Sequence, residues 1–454
     1  MMRTVLQVRS VVSALLLACG GANAADLIDI FRLAQPADAT YAAARATWAA
    51  AQERLPQARA GLLPSASLSA STQYNDRATR FRDGATPRSS GDFASSSVSL
   101  SVTQPLYRRQ NAVVYEQALS QVEQADAQLA VAAQELILRV AQAYFDVLLA
   151  QDNVAFAEAQ KAAIAQQLAQ AKRNFELGTA TITDTHEAQA RYDLTTSQEI
   201  AARSDLELRR RALEQVIARA APPLAPLGTQ FTLSPPDPPV MDTWAALAQR
   251  ANLQVRVAQS ALVFATREIE RNRAAHYPTF DAFATASGNT AGAQNTAGLA
   301  TDTRSGVVGL QLAIPLYQGG AINSRVRESI ANEDRARQDL ENARRSAEFS
   351  ARQAYVGITN GIAQVRALEA ALVSTQSQLA STRLGQEVGV RTQVDVLNAQ
   401  QLLFSAKRDL AQSKYSYVLS LLRLEAAIGE LTESDIVEVN RWLDPGAAAA
   451  AARR

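Results

Sequence analysis

From Gln110 to Leu177 the chain contains neither glycine nor proline, a run of 68 residues. As a single α-helix this run would be ~100 Å long at about 1.5 Å per residue. No ordinary globular domain can enclose it, so it must lie alongside other long helices, as in a coiled coil. Tyr115, Leu119, Val122, Leu129, Ala133, Leu136 and Val140 follow an alternating spacing of four and three, with Asp126 breaking one slot. Alanine-rich flanks let such helices approach on more than one side, and the polar remainder places them in water. A second run of equal length, Ala321 to Val388, contains Gly357, Gly361 and Gly385, which are expected to soften it locally.

The second run is no coincidence. Gln104-Pro105-Leu106-Tyr107 matches Ile314-Pro315-Leu316-Tyr317 at an offset of 210. Ala143-Tyr144 matches Ala354-Tyr355, Glu176-Leu177-Gly178 matches Glu387-Val388-Gly389, and Thr183-Asp184 matches Val394-Asp395, all at 211. Leu63-Pro64-Ser65 matches Tyr277-Pro278-Thr279 at 214. Two copies of one unit are therefore expected, 25–220 and 241–430. Between them lies 221–240, whose seven prolines forbid regular helix and make a semi-rigid connector. Each unit reads as a helix, a β-hairpin (64–104 or 278–315), a long helix (110–177 or 321–388), a tip (178–183 or 389–393) and a last helix (184–219 or 394–429). Residues 431–454 follow as a further segment with an alanine-rich tail.

The hairpin strands alternate. Ala66, Leu68, Ala70 and Tyr74 interleave with serines and Gln73, and Val98, Leu100 and Val102 interleave with Ser97, Ser99, Ser101 and Thr103. Val308, Leu310, Leu312 and Ile314 alternate with Gly309, Gln311 and Ala313, while Phe283 breaks the pattern of the remaining strand by falling on its polar side. Apolar outside and small-polar inside over about ten residues is the signature of a transmembrane β-barrel strand. Four strands cannot close a barrel, and open edges are not tolerated in lipid. Closure therefore requires several copies of the chain around a cyclic axis. Tyr74, Phe81, Phe93, Tyr107, Tyr277 and Tyr317 are candidates for interfacial aromatic girdles or for ordinary packing.

The N-terminus reads as an export leader spanning 1–24. It has basic Arg3 and Arg9, an apolar run from Val11 to Ala18, and a small-residue cleavage site at Ala22-Asn23-Ala24. Leu16-Leu17-Ala18-Cys19-Gly20 competes as a lipoprotein-type site that would leave Cys19 lipidated. Losing Arg3 and Arg9 takes the 45 basic residues to 43 against 44 acidic ones, a formal charge of −1. Such balance argues against a nucleic-acid partner. With two distant histidines, His186 and His276, and no metal-ligand cluster, nucleophile elbow or phosphate-cradling glycine loop, the sequence offers no catalytic, metal or cofactor site.

The Pro-Leu-Tyr pairs, Phe175-Glu176-Leu177-Gly178 leading to Ile182-Thr183-Asp184, Ile314 to Gly320, and Val388-Gly389-Val390-Arg391-Thr392-Gln393-Val394-Asp395-Val396-Leu397 resemble the TolC-type outer-membrane factors. The resemblance covers essentially the whole mature chain. It implies a mixed, mainly α fold: a coiled-coil α-helical barrel plus a transmembrane β-barrel shared by a homotrimer, four strands per chain and 12 in all. It also implies an equatorial belt, placed in the linker and Ser434 to Leu443. The implied function is the exit duct of a tripartite efflux or type I secretion system in a Gram-negative outer membrane. The implied partners are outer-membrane lipid, a periplasmic adaptor, and an inner-membrane RND, ABC or MFS pump. A non-pore periplasmic coiled-coil scaffold is the rival reading, and it leaves the paired hairpins unexplained.

Site roles follow from the resemblance. Asp395 and Arg391, with Thr183 and Asp184 in the first unit, match positions that hold the closed periplasmic tip. Gln386 stands where the family carries a latch tyrosine, and Asn398 where it carries a second ring of aspartates. The tips, with Leu177, Gly178, Thr179, Val388, Gly389 and Val390, match the adaptor-docking surface. Each role has a plainer rival. Asp184 and Asp395 sit where a helix starts and suit an N-terminal cap, Arg391 suits a solvated turn, and both glycines need do no more than permit the turn. Pro64, Pro105, Pro278 and Pro315 are read as strand–helix junctions.

Overall fold

A computed structural model describes residues 24–79, 89–293, 295 and 298–444. The leader with Cys19, the aromatic Phe81 and the tail from Pro445 lie outside the described residues. Helices α1 (Leu27–Ala37), α2 (Ala39–Gln52) and α3 (Arg54–Ala60) lead into strands β1 (Ser65–Thr79) and β2 (Ser89–Tyr107). Then come α4 (Arg109–Glu176) and α5 (Ile182–Ile217). The second half follows the same order with α6 (Met241–Ala251), α7 (Leu253–Arg273), β3 (Thr279–Ala291), β4 (Thr301–Ala313), α8 (Ala321–Glu387) and α9 (Gln393–Ile428). A short α10 (Glu433–Asn440) ends the described chain. The opening helix of each half is broken: Asp38 caps α2 through the Tyr41 amide at 2.7 Å, and Asn252 caps α7 through those of Gln254 and Val255.

α4 and α8 each run unbroken for 68 and 67 residues. The glycines of α8 do not interrupt it. A Cβ at Gly357 would stand 3.0 Å from the Ser420 hydroxyl and one at Gly361 3.5 Å from Tyr417, so these residues let α9 approach closely. On α4 the four-and-three stripe is buried only where Leu136 and Val140 enter the core; higher up Leu119 is exposed, and Val113, Gln117 and Ser120 are buried instead. Asp126 lies outside the buried face and accepts a hydrogen bond from the Trp48 indole of α2 at 2.6 Å.

The four strands form one antiparallel sheet in chain order. Leu68 pairs with Leu100 and Ala70 with Val98 on one face; Ser67 pairs with Ser101 and Ser69 with Ser99 on the other. On β2 Ser95, Ser97, Ser99 and Ser101 are half-buried while Val98, Leu100 and Val102 are exposed, so the serine face is the sheltered one. Serine hydroxyls bridge strands across it, Ser71 to Ser97 at 2.8 Å and Ser287 to Ser305 at 2.7 Å. Phe283, the exception in the pattern, pairs with Gly309, where a Cβ would meet its ring at 2.8 Å. An aromatic laid over a cross-strand glycine covers backbone that would otherwise be bare. Phe93 also lies on the serine face, opposite Asn75, whereas Tyr74, Tyr107, Tyr277 and Tyr317 are exposed.

Pro64 and Pro278 each precede a strand, so they turn helix into strand, and Pro315 follows β4. Pro105 lies inside β2, opposite Asp281, where the register shifts before Tyr107. Beside it Arg108 grips Asp281 with two bonds, 2.8 and 2.6 Å, fixing the start of α4 against β3.

The main core sits around the middle of the helices. Tyr144, Phe145, Tyr415 and Tyr417 are buried there among α1, α4 and α9, each contributing roughly 2–3 kcal/mol by burial. The linker straps this region: Tyr144 donates to the Ala225 carbonyl at 2.7 Å, Tyr417 donates to Ser234 at 2.8 Å, and Gly228 donates to the Trp442 carbonyl at 2.7 Å.

Candidate functional site

The ends of the two helical hairpins carry the residues of interest. At the first, Gly178 has φ +73°, and at the second Gly389 has φ +79°, left-handed values that a Cβ disfavours. A carbonyl in the last turn of the preceding helix closes each loop: Asn174 accepts from Thr179 at 2.8 Å, and Gly385 accepts from Val390 at 2.8 Å and Arg391 at 3.0 Å. A capping box then opens the next helix. Asp184 Oδ2 accepts from the Thr181 amide at 3.0 Å and hydroxyl at 2.8 Å; Asp395 Oδ2 accepts from the Thr392 amide and hydroxyl at 2.9 Å each. Both aspartates are thus caps, each with its second oxygen left over. Bonding to the Thr392 amide and then to its hydroxyl, with Arg391 nearby, holds the Asp395 carboxyl below the usual range.

Arg391 lies across the bare backbone of Gly385, where a Cβ would come within 2.7 Å of its Cγ. Within one chain, among the described residues, its guanidinium forms no ion pair, and Thr183 on α5 is exposed. Leu177, Val388 and Val390 project into solvent, 67% exposed or more.

Two further links join the second hairpin to the first, and neither is legible in the sequence. Gln386 on α8 donates to the Gln393 side-chain oxygen at 2.5 Å; buried Gln393 donates in turn to the backbone oxygen of Gln167 on α4 at 3.1 Å and to its side-chain oxygen at 3.2 Å. Arg191 on α5 forks onto Asn398 at 3.1 Å and Gln401 at 2.8 Å, both on α9. Leu397 packs beside them against Ile164, Leu168, Ala171 and Ala188. The only sequence sign of these links is that the two tips, aligned by their offset, place Ile182 where Gln393 stands.

Farther up, the sheltered face of the sheet between the Thr103–Phe283 and Asn75–Phe93 rows carries no charged residue among the described ones. Beside α10, burial pushes the Glu425 carboxyl of α9 up to about 7, helped by Asp435, Glu430 and Glu438. Among the described residues no three His, Cys, Asp or Glu side chains are placed to hold a metal ion, and no helix is long and apolar enough to cross a membrane.

The family model described as "Outer membrane efflux protein" matches residues 33–219 and 244–430, once per repeat. The chain is 35% identical over 423 residues to the outer membrane protein TolC of Vibrio cholerae, covering 92% of this chain and 94% of that one. It is 33% identical to the alkaline protease secretion protein AprF of Pseudomonas aeruginosa, covering 93% and 88%. Among solved structures, the Campylobacter jejuni CmeC outer membrane channel superposes with a TM-score of 0.77 at 17% identity, over 92% of this chain and 90% of that one, a likeness of fold.

Proposed function

Because the chain belongs to the outer membrane efflux protein family, and is an outer-membrane efflux or secretion channel rather than an enzyme, we propose that it is the homotrimeric exit duct of a tripartite export machine. The observation that carries this reading is the four-stranded sheet, apolar on its exposed face, hydroxylated on its sheltered face, and unpaired at β1 and β4. Three copies supply 12 strands and leave no edge facing lipid. The apolar face then meets outer-membrane lipid, and α4, α5, α8 and α9 project into the periplasm.

At the tip the second oxygens of Asp395, repeated three times, form a cation-attracting ring with Asp184 behind it. Arg391, unpaired within its own chain, latches this end by reaching a neighbouring copy. The exposed turns at Leu177, Gly178, Thr179, Val388, Gly389 and Val390 seat a periplasmic adaptor, and an RND, ABC or MFS pump supplies the energy. Cargo in the form of polypeptide fits best: AprF is named for protease secretion, and a hydroxylated wall without charge admits segments of either sign. Efflux, the word in the family's own description, is the second reading, with small molecules as the cargo.

The test is the purified mature chain, weighed in detergent and inserted into planar bilayers. Trimers with small, steady conductance that grows in Arg391→Ala are expected. A monomer, or silence even with Arg391 replaced, overturns the duct and favours a non-pore scaffold.

A further inference from the structure

The second hairpin rests on the first through α9, and at the tip its attachment has three parts: the small apolar cluster around Leu397, the Arg191 fork, and the amide chain through Gln393. Of the two polar links the last is the more sheltered, since Asn398 and Gln401 are exposed. Gln393 is 8% exposed and Gln167 9%, and the Gln393 amide makes both of its donor bonds to Gln167. Gln393 is also the first residue of α9, directly after the cap residue Thr392, so whatever holds it holds the beginning of the helix. Its equivalent in the first hairpin, Ile182, is 46% exposed and makes no such bond. One hairpin is pinned to its neighbour, and its twin is not.

We propose that Gln393 is the pin that keeps the second hairpin seated on α4 and the duct's periplasmic end narrow, a positioning residue distinct from the charged residues of the tip. The inference rests on the duct reading above. Three glutamine amides form the whole chain, so it has no charge for salt to screen and no group that titrates near neutrality. Separating α9 from α4 would leave the Gln393 amide hydrogens and the Gln167 oxygens they bind without partners until water reached them, the condition in which buried polar groups are most costly. Changes of ionic strength or pH therefore leave the pin closed, and release comes from mechanical displacement of the turn by a docked protein. An Arg391 latch, in contrast, weakens in salt.

The experiment compares full-length trimers in planar bilayers at about 0.1 M and about 1 M KCl, where the screening length falls from ~10 Å to ~3 Å. Gln393→Met keeps the length and bulk of the side chain but removes its donors; Gln393→Glu keeps an acceptor and loses the same donors. Both are expected to raise conductance severalfold at either salt concentration. Gln167→Met should do likewise, and the double variant Gln393→Met/Gln167→Met should add little to either, because one link is being removed twice. Unchanged conductance in both Gln393 variants overturns the pin, as do fully additive effects or a gain that disappears in high salt. Silence of the parent and every variant alike would instead overturn the duct reading, and the pin with it.

Discussion

Gly178 and Gly389 occupy the same place in the two halves, as do Thr181 and Thr392, and Asp184 and Asp395. Backbone angles, loop-closing bonds and capping boxes agree closely between them. The side chains around that shared frame do not. Asn174, Phe175, Ala180, Ile182 and Glu187 of the first tip face Gly385, Gln386, Arg391, Gln393 and Asn398 of the second. The turn is dictated locally, by a residue that tolerates positive φ and a threonine–aspartate pair three apart, so both copies retain it. Contacts of the side chains impose no such symmetry. The second tip lays Arg391 over Gly385 within its own hairpin and holds Gln393 against Gln167 across to the first. The structure thus separates a common scaffold from a specialised one.

If the scaffold is truly common, breaking it must cost the same at both ends. Gly178→Ala and Gly389→Ala place a Cβ in the left-handed region, with no neighbour within 4 Å at either site. Each is expected to destabilise its turn by roughly 1–2 kcal/mol, seen as faster hydrogen exchange in the tip peptides. A large inequality would show that tertiary contacts, and not the turn itself, set the backbone. The caps come next. Thr181→Ala and Thr392→Ala should each cost about 1 kcal/mol, measured in the same way. Only the second is expected to raise channel conductance as well, because it also loosens the start of α9, where Gln393 sits.

Residues with local causes were legible in advance and residues with remote causes were not. The first long helix follows from missing glycine and proline, the second from its match to the first, and the strand faces follow from alternation that needs no knowledge of partners. Phe283 looked like a fault in its strand because its explanation, Gly309, lies on the neighbouring one. The heptad stripe held where α4 enters the core at Leu136 and Val140. It failed near Leu119, where the face that is buried is set by α2 and α7 rather than by α4's own sequence. Gln167, Gln393 and Arg191 were invisible for the same reason: a glutamine in a polar helix gives no sign of which glutamine it meets. The aspartates were legible as caps, because the capping box is a spacing of three along one segment.

Asn398 sharpens the comparison further. Its counterpart Glu187 already pairs with Arg191 at 3.3 Å, and Asn398 accepts from the same guanidinium at 3.1 Å. Asn398→Asp would therefore give Arg191 a second carboxylate across the hairpins. Two outcomes are expected together: slower exchange in the α9 tip peptide, and a modest rise in cation over anion permeability, since the new charge is only partly neutralised. An unchanged permeability would place Asn398 outside the conducting path.

The smallest expected effect is the response to pH, and here the tip and the Glu425 region have opposite signs in separate pH windows. Asp395 is held below its ordinary value by Thr392, so the stability it lends the cap is complete above about pH 4 and is lost only as pH falls through its lowered value. Between pH 8 and pH 5 the tip should therefore show no change in exchange once intrinsic rates are corrected. Glu425 has the reverse sign. Its carboxyl, pushed up to about 7, binds a proton more readily in the fold than in the open chain, whose value lies near 4.5. Its contribution is complete below that lower value and fades as pH rises through 7. Peptides around α10 should thus be slightly better protected at pH 5 than at pH 8, the effect kept small by the part of the carboxyl that still meets water. Glu425→Gln, neutral throughout, should abolish that difference while leaving the tip untouched. An α10 region that ignores pH, or a tip that loosens already at pH 5, would mean that the cap and the buried carboxylate respond to something other than their own surroundings.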